Sequence, residues 1–120
     1  MAEEALEVDK NGAERVLSKK RPAYVLGDSY RDLDFIREAF SLGKLDVELV
    51  DMNDFYPAIM NYGDDSELKA MAKKYDGALI VCPHGISSKA FAEALRALGA
   101  NAYSLKGGIE GLREGKTETP

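Results

Sequence analysis

The stretch GALIVCPHGISSKAFAEALRALGANAYSLKGG, residues 77–108, carries most of what the sequence says about the fold. It opens on Gly77–Val81, a run of apolar and small residues with no polar alternation. That is the pattern of a central strand covered on both faces. Pro83 cannot continue a ladder, because it has no N–H to donate. Gly85 offers backbone angles closed to other residues, and Ser87 or Ser88 is placed to cap a helix. From there Phe91, Ala94, Leu95 and Leu98 fall at i, i+3, i+4 and i+7, along one helical face. Gly99 stands where a helix stop favours glycine. A second short strand, Asn101–Leu105, follows.

The same alternation extends outward. Ala23–Gly27 and Val47–Met52 read as strands, Gly77–Cys82 as the central one, and Leu6–Val8 as a short edge strand. Helices are predicted over Gly12–Lys20, Arg31–Leu42, Ser66–Lys74 and Ser88–Leu98. In the third, Leu68, Met71, Ala72 and Tyr75 repeat the apolar spacing, and Asp64, Asp65 and Glu67 suit its start. Asp54–Gly63 (DFYPAIMNYG) is an apolar stretch expected to pack on the core or to form a cover or partner surface. Strands alternating with helices require crossovers and a mainly parallel sheet. Ligands of such sheets bind beyond the carboxyl ends of the strands. Those ends hold Asp28 and Ser29, Asp51, Cys82, and Lys106 to Gly108.

The chain has 120 residues, a length suited to one domain spanning 1–120, with about 1–5 and 114–120 expected to fray. Its 21 acidic against 16 basic side chains give a net charge of −5, which argues against nucleic acid as a partner. No apolar run is long enough for a membrane span, and the acidic N-terminus lacks a signal core. A cytoplasmic protein is expected. One cysteine and one histidine exclude a disulfide framework and a thiolate-rich metal site. The basic run Ser18–Arg21 reads as the charged end of a surface helix.

Cys82 therefore stands where the sheet rule places chemistry, before a Gly/Ser turn and a helix start. Successive N–H groups in such a turn form an anion-binding concavity. They would stabilise a thiolate, the reactive form of cysteine, and equally a persulfide.

The segment CPHGISSKAFAEALRALGANAYSLKGGIEGL resembles the second half of a rhodanese-type sulfurtransferase domain. Family members carry a loop C-x-x-G-x-[RS]-S, then a helix, a strand and an LKGG turn. Cys82, Gly85 and Ser88 match the loop. The resemblance implies a three-layer α/β fold with a five-stranded, mainly parallel sheet. It also implies a thiosulfate:acceptor type of enzyme. Cys82 would be the nucleophile and Pro83, His84, Gly85, Ile86, Ser87 and Ser88 the substrate loop. Neither a cofactor nor a metal is required. The implied partners are a small sulfur donor and a thiophilic acceptor, including a protein thiol. Asp28 matches an aspartate frequent in the family's N-terminal half, and Tyr30 falls where an arginine often follows.

Ser87 departs from the family, which usually keeps arginine there. A serine hydroxyl can bind an anion but brings no full charge. His84, Lys89 and Lys106 are the candidate replacements. The alternative reading is a catalytically degenerate domain that serves as a regulatory or protein-binding module. Other chemistries fit less well. Cysteine phosphatases need an arginine six residues after the cysteine, where Ser88 stands. The GDS turn at Gly27–Ser29 resembles a serine-esterase block but has no C-terminal histidine, so Ser29 reads as a helix cap. A phospho-receiver site would need an aspartate in place of Cys82.

Overall fold

The computed structural model describes residues 6–18, 22–27, 30–43, 46–60 and 62–114. Asp28, Ser29 and the Tyr30 side chain lie outside the described residues, as does most of the basic run at Ser18–Arg21. The elements in chain order are β1 (Glu7–Val8), α1 (Lys10–Leu17), β2 (Ala23–Val25), α2 (Tyr30–Ala39), β3 (Val47–Leu49) and α3 (Met52–Met60). They continue with α4 (Asp65–Lys74), β4 (Leu79–Val81), α5 (Ser87–Ala97), β5 (Tyr103–Leu105) and α6 (Gly108–Glu114).

The strands form a sheet in the order β1-β5-β4-β2-β3, and every pairing is parallel. The lack of polar alternation in β4 follows from its place. Leu79 and Val81 face one core with Ala13, Val16, Ile36, Leu105 and Ile109. Ile80 and Cys82 face the other, with Leu26, Met71, Tyr75, Phe91 and Leu95. One helical layer thus holds α1, α2 and α6, and the opposite layer holds α3, α4 and α5. This is the three-layer α/β architecture expected.

Two helices were not expected from the sequence. The first is α3, which takes in Met52, read as the end of a strand, and much of Asp54–Gly63, read as core packing or as a cover or partner surface. Asp51 starts it: its carboxylate accepts the Asn53 N–H at 2.8 Å, and its carbonyl accepts those of Asp54 and Phe55. Phe55 and Ala58 turn inward, and Phe55 lies 5.6 Å from the Phe91 ring. Met52, Tyr56, Ile59 and Met60 face outward. The stretch is therefore both core and surface, split by the two sides of one helix. Pro57 sits inside it without an N–H to give. The second is α6, whose Gly108 and Gly111 lower helix propensity.

A polar strap joins α3 to the end of α4. The Tyr75 hydroxyl donates to Asp54 Oδ2 at 2.6 Å, and Lys74 reaches the same oxygen at 3.1 Å. Burial first, and then the Asp54 carboxylate, push Tyr75 ionisation well above the ordinary tyrosine range. The first helix begins two residues earlier than its apolar spacing predicts, because Asp9 caps it by accepting the Gly12 N–H at 2.8 Å.

Candidate active site

The site begins at the end of β4. Val81 is the last paired residue, and Cys82 leaves the strand 2% exposed. The next residues curl back over the sulfur. Gly85 N–H donates to Cys82 Sγ at 3.1 Å and Ser88 N–H donates to it at 3.2 Å. The Ser88 hydroxyl lies 3.2 Å from the same sulfur. It accepts from the thiol and can donate to a thiolate.

Local sequence explains how these donors converge. Gly85 has φ +80°, so its amide turns inward where another residue would be strained. Ser88 is the second residue of α5, among the positions whose N–H groups have no partner inside the helix. The expectation that Ser87 or Ser88 caps α5 is corrected here. Ile86 occupies the cap position, and no side chain caps the helix. Ser87 points to solvent, whereas Ser88 is fully buried with its hydroxyl on the cysteine. The sulfur takes the acceptor role that a capping oxygen fills elsewhere.

The distant LKGG turn shapes the loop from behind. Ile109 N–H donates to the Cys82 carbonyl at 3.0 Å, and Glu110 N–H to the Pro83 carbonyl at 2.9 Å. These bonds pin the loop's carbonyls outward and leave its N–H groups for the sulfur. The two backbones touch. A Cβ on Gly108 would overlap the Cys82 carbonyl oxygen and lie 2.7 Å from the Gly85 nitrogen. A Cβ on Gly85 would come within 2.9 Å of the Gly107 nitrogen. Glycine on both sides allows this approach.

The other sequence candidates scatter. Pro83, His84, Ile86 and Ser87 form the exposed rim of the loop, with Ile86 75% exposed. Among the described residues, the His84 imidazole is not within hydrogen-bond distance of Cys82 Sγ; only Gly85 and Ser88 supply contacts to it. Lys89 and Lys106 meet at a different place. Both line a cleft of about 440 Å³ with Leu6, Glu7 and Glu93, and Lys89 lies 3.6 Å from the Glu7 carboxylate. Asp51 is engaged at the start of α3. Asp28 and the Tyr30 side chain lie outside the described residues.

Sequence reasoning missed Ser104. It is fully buried in β5, and its hydroxyl lies 2.7 Å from that of Ser88. The available signal was a serine in the middle of a strand expected to be buried. Among the described residues, no group of three His, Cys, Asp or Glu side chains is arranged to hold a metal. No described helix is long and apolar enough to cross a membrane.

Comparison with known proteins bears on the family and the fold. The model of the Rhodanese-like domain family matches residues 28–114. The chain belongs to that family. Among solved structures it is similar to a rhodanese homolog from the extremely thermophilic bacterium Thermus thermophilus. The two are 18% identical, with a TM-score of 0.55 over 88% of this chain and 99% of that one. At such identity the likeness concerns the fold alone. No curated protein matches the chain.

Proposed function

We propose that this protein is a sulfurtransferase that carries sulfane sulfur as a persulfide on Cys82. The observation that carries the reading is the convergence of the Gly85 N–H, the Ser88 N–H and the Ser88 hydroxyl on one sulfur. Donors fixed around a sulfur favour its anionic form without reorganisation at the moment of reaction.

With thiosulfate as donor, the Cys82 thiolate attacks the outer sulfur. A new S–S bond forms, the donor's S–S bond breaks, and sulfite leaves with the electron pair. The loop then holds Cys82–S–S⁻ in place of Cys82–S⁻. A nucleophilic acceptor, cyanide or another thiolate, attacks the terminal sulfur and releases the Cys82 thiolate. One difficult transfer becomes two easier ones. The chain's own groups bind and orient throughout, and no cofactor enters the cycle. A reducing compartment such as the cytoplasm suits an enzyme that works through one free thiol.

The rim of the loop bears on the donor. Ser87 brings no charge, Lys89 pairs with Glu7, and Lys106 lines the same cleft as that pair. Thiosulfate, a dianion, is therefore a poor donor compared with less charged persulfides.

A second reading, a protein-binding module, draws support from the outward apolar face of α3 and from Ile86. One experiment separates them. The protein is incubated with thiosulfate and with small organic persulfides, then Cys82 is analysed by mass spectrometry before and after cyanide. A one-sulfur gain that cyanide removes, absent in Cys82→Ser, is the expected result. A demonstrably free Cys82 thiol that never gains the sulfur overturns the enzymatic reading in favour of the module.

A further inference from the structure

We infer that Ser104 is a positioning residue for Cys82, acting through Ser88. Strand β5 places Tyr103 and Leu105 in the core under α1, α2 and α6, and Ala102, just before it, lies in the core under α5. Alternation puts Ser104 on the Ala102 side, the side of Cys82. Its register partner is Ile80, two residues before the cysteine. Ser104 is 0% exposed, as is Ser88, and the two are the buried polar side chains of the described residues. A hydroxyl in such a place is unfavourable unless it is bonded, and an alanine or valine would fill the strand without that cost. What the serine adds is the 2.7 Å bond to Ser88 Oγ, which is itself 3.2 Å from Cys82 Sγ.

These three atoms make a chain whose polarity can reverse. When the sulfur carries its proton, S–H donates to Ser88 and Ser88 donates to Ser104. When the sulfur is a thiolate, Ser104 donates to Ser88 and Ser88 donates to the sulfur. The change needs only two hydroxyl rotations and no displacement of heavy atoms. Each hydroxyl has one proton to give, so Ser88 can face the thiolate as a donor and still have its oxygen satisfied only if Ser104 supplies the second bond. A hydroxyl that accepts a bond also donates a stronger one. The gain is greater at the anionic end, where the chain terminates on a full charge, than at the thiol end, where it starts from a weak S–H donor. Ser104 therefore sharpens the nucleophile from a position no substrate reaches. The inference rests on the sulfurtransferase reading only for the use made of that nucleophile.

The test reads the thiol itself, so its outcome is independent of whether any sulfur donor is found. The second-order rate constant of Cys82 with iodoacetamide is measured at neutral pH for the full chain. The set comprises wild type, Ser104→Ala, Ser104→Thr, Ser88→Ala and the Ser88→Ala/Ser104→Ala double variant, with the unfolding midpoint of each. Ser104→Ala is expected to slow the reaction on the order of fivefold in the wild-type background and to change nothing in the Ser88→Ala background. Ser104→Thr, which restores the hydroxyl, is expected to recover most of the rate. Equal slowing in both backgrounds means a merely structural role and overturns the inference. So does an unchanged rate in folded Ser104→Ala. If Ser104→Ala does not fold, the Thr variant decides: a wild-type rate supports the chain of hydroxyls, and an impaired rate in folded protein overturns it.

Discussion

Helices α4 and α5 begin in opposite ways. The start of α4 is a local affair. Asp64 accepts the Ser66 N–H at 3.0 Å and the Ser66 hydroxyl at 2.7 Å. The hydroxyl first, then the amide, hold its carboxyl below the usual aspartate range. Asp9 serves α1 in the same manner, and Asp51 serves α3. The start of α5 has no capping side chain. Its Ser88 amide is directed at a sulfur six residues back, and the start of that loop is held by backbone from α6. Aspartate caps stabilise a helix and do nothing else. Leaving one helix start to a cysteine turns an ordinary stabilising contact into one that sets a sulfur among N–H donors.

This contrast can be broken at several points. The largest effect belongs to Gly108→Ala. The added methyl group meets the Cys82 carbonyl, and φ at this residue is +63°, so both sterics and backbone oppose it. We expect a loss of roughly 3 kcal/mol or more in chemical denaturation, together with loss of Cys82 reactivity. A stable, reactive variant would mean that the loop does not depend on the glycine turn.

Next comes the sulfur as a cap. Cys82→Ala leaves the Gly85 and Ser88 N–H groups buried without an acceptor, at a cost of about 2 kcal/mol. Cys82→Ser keeps an acceptor and should unfold at a higher denaturant concentration than the alanine variant. Equal midpoints would show that the amides do not rely on the side chain.

A third change adds what α5 lacks. Ser87→Arg places a cation at the exposed rim, and thiosulfate turnover should rise about tenfold while a neutral donor gains little. An unchanged preference in folded protein would separate donor choice from rim charge.

The smallest effect tests the ordinary kind of cap. Asp9→Ala should cost about 1 kcal/mol in thermal or chemical unfolding. The alkylation rate of Cys82 should stay the same. A fall in that rate would mean that the two kinds of helix start are coupled.

The same contrast explains what the sequence could tell. β4, α5 and β5 were legible because their signals are local: an unbroken apolar run, a helical spacing of Phe91, Leu95 and Leu98, and a glycine stop. The cysteine loop was legible as a cradle because glycine and serine sit beside the thiol. Its back wall was not. That Gly107 and Gly108 touch Gly85 is a contact between segments far apart in the chain, and no spacing reveals it. α6 escaped because its glycines oppose a helix that tertiary contacts then impose. α3 escaped because Pro57 breaks the usual signal and because apolar residues lie on both of its sides. Ser104 was visible as a letter, but its meaning depends on Ser88 being turned inward rather than capping the helix. The auxiliary lysines were read from their places in the chain, Lys89 in the first turn of α5 and Lys106 just after β5. They meet in a cleft beside β1, where Lys89 pairs with Glu7.

The sheet order has one more consequence, for the history of the chain. Among the described residues, β1 pairs with β5 alone, and β5 follows the other strands of the sheet in chain order. The amides that pin the Cys82 loop come from Ile109 and Glu110, immediately after that strand. Until this segment docks, the first strand has no neighbour and the cysteine has no back wall. Such long-range pairing is slow compared with helix formation. A nascent or locally opened chain therefore holds Cys82 without the back wall of its loop. The sulfur acquires its surroundings in the same step that brings β1 and β5 together.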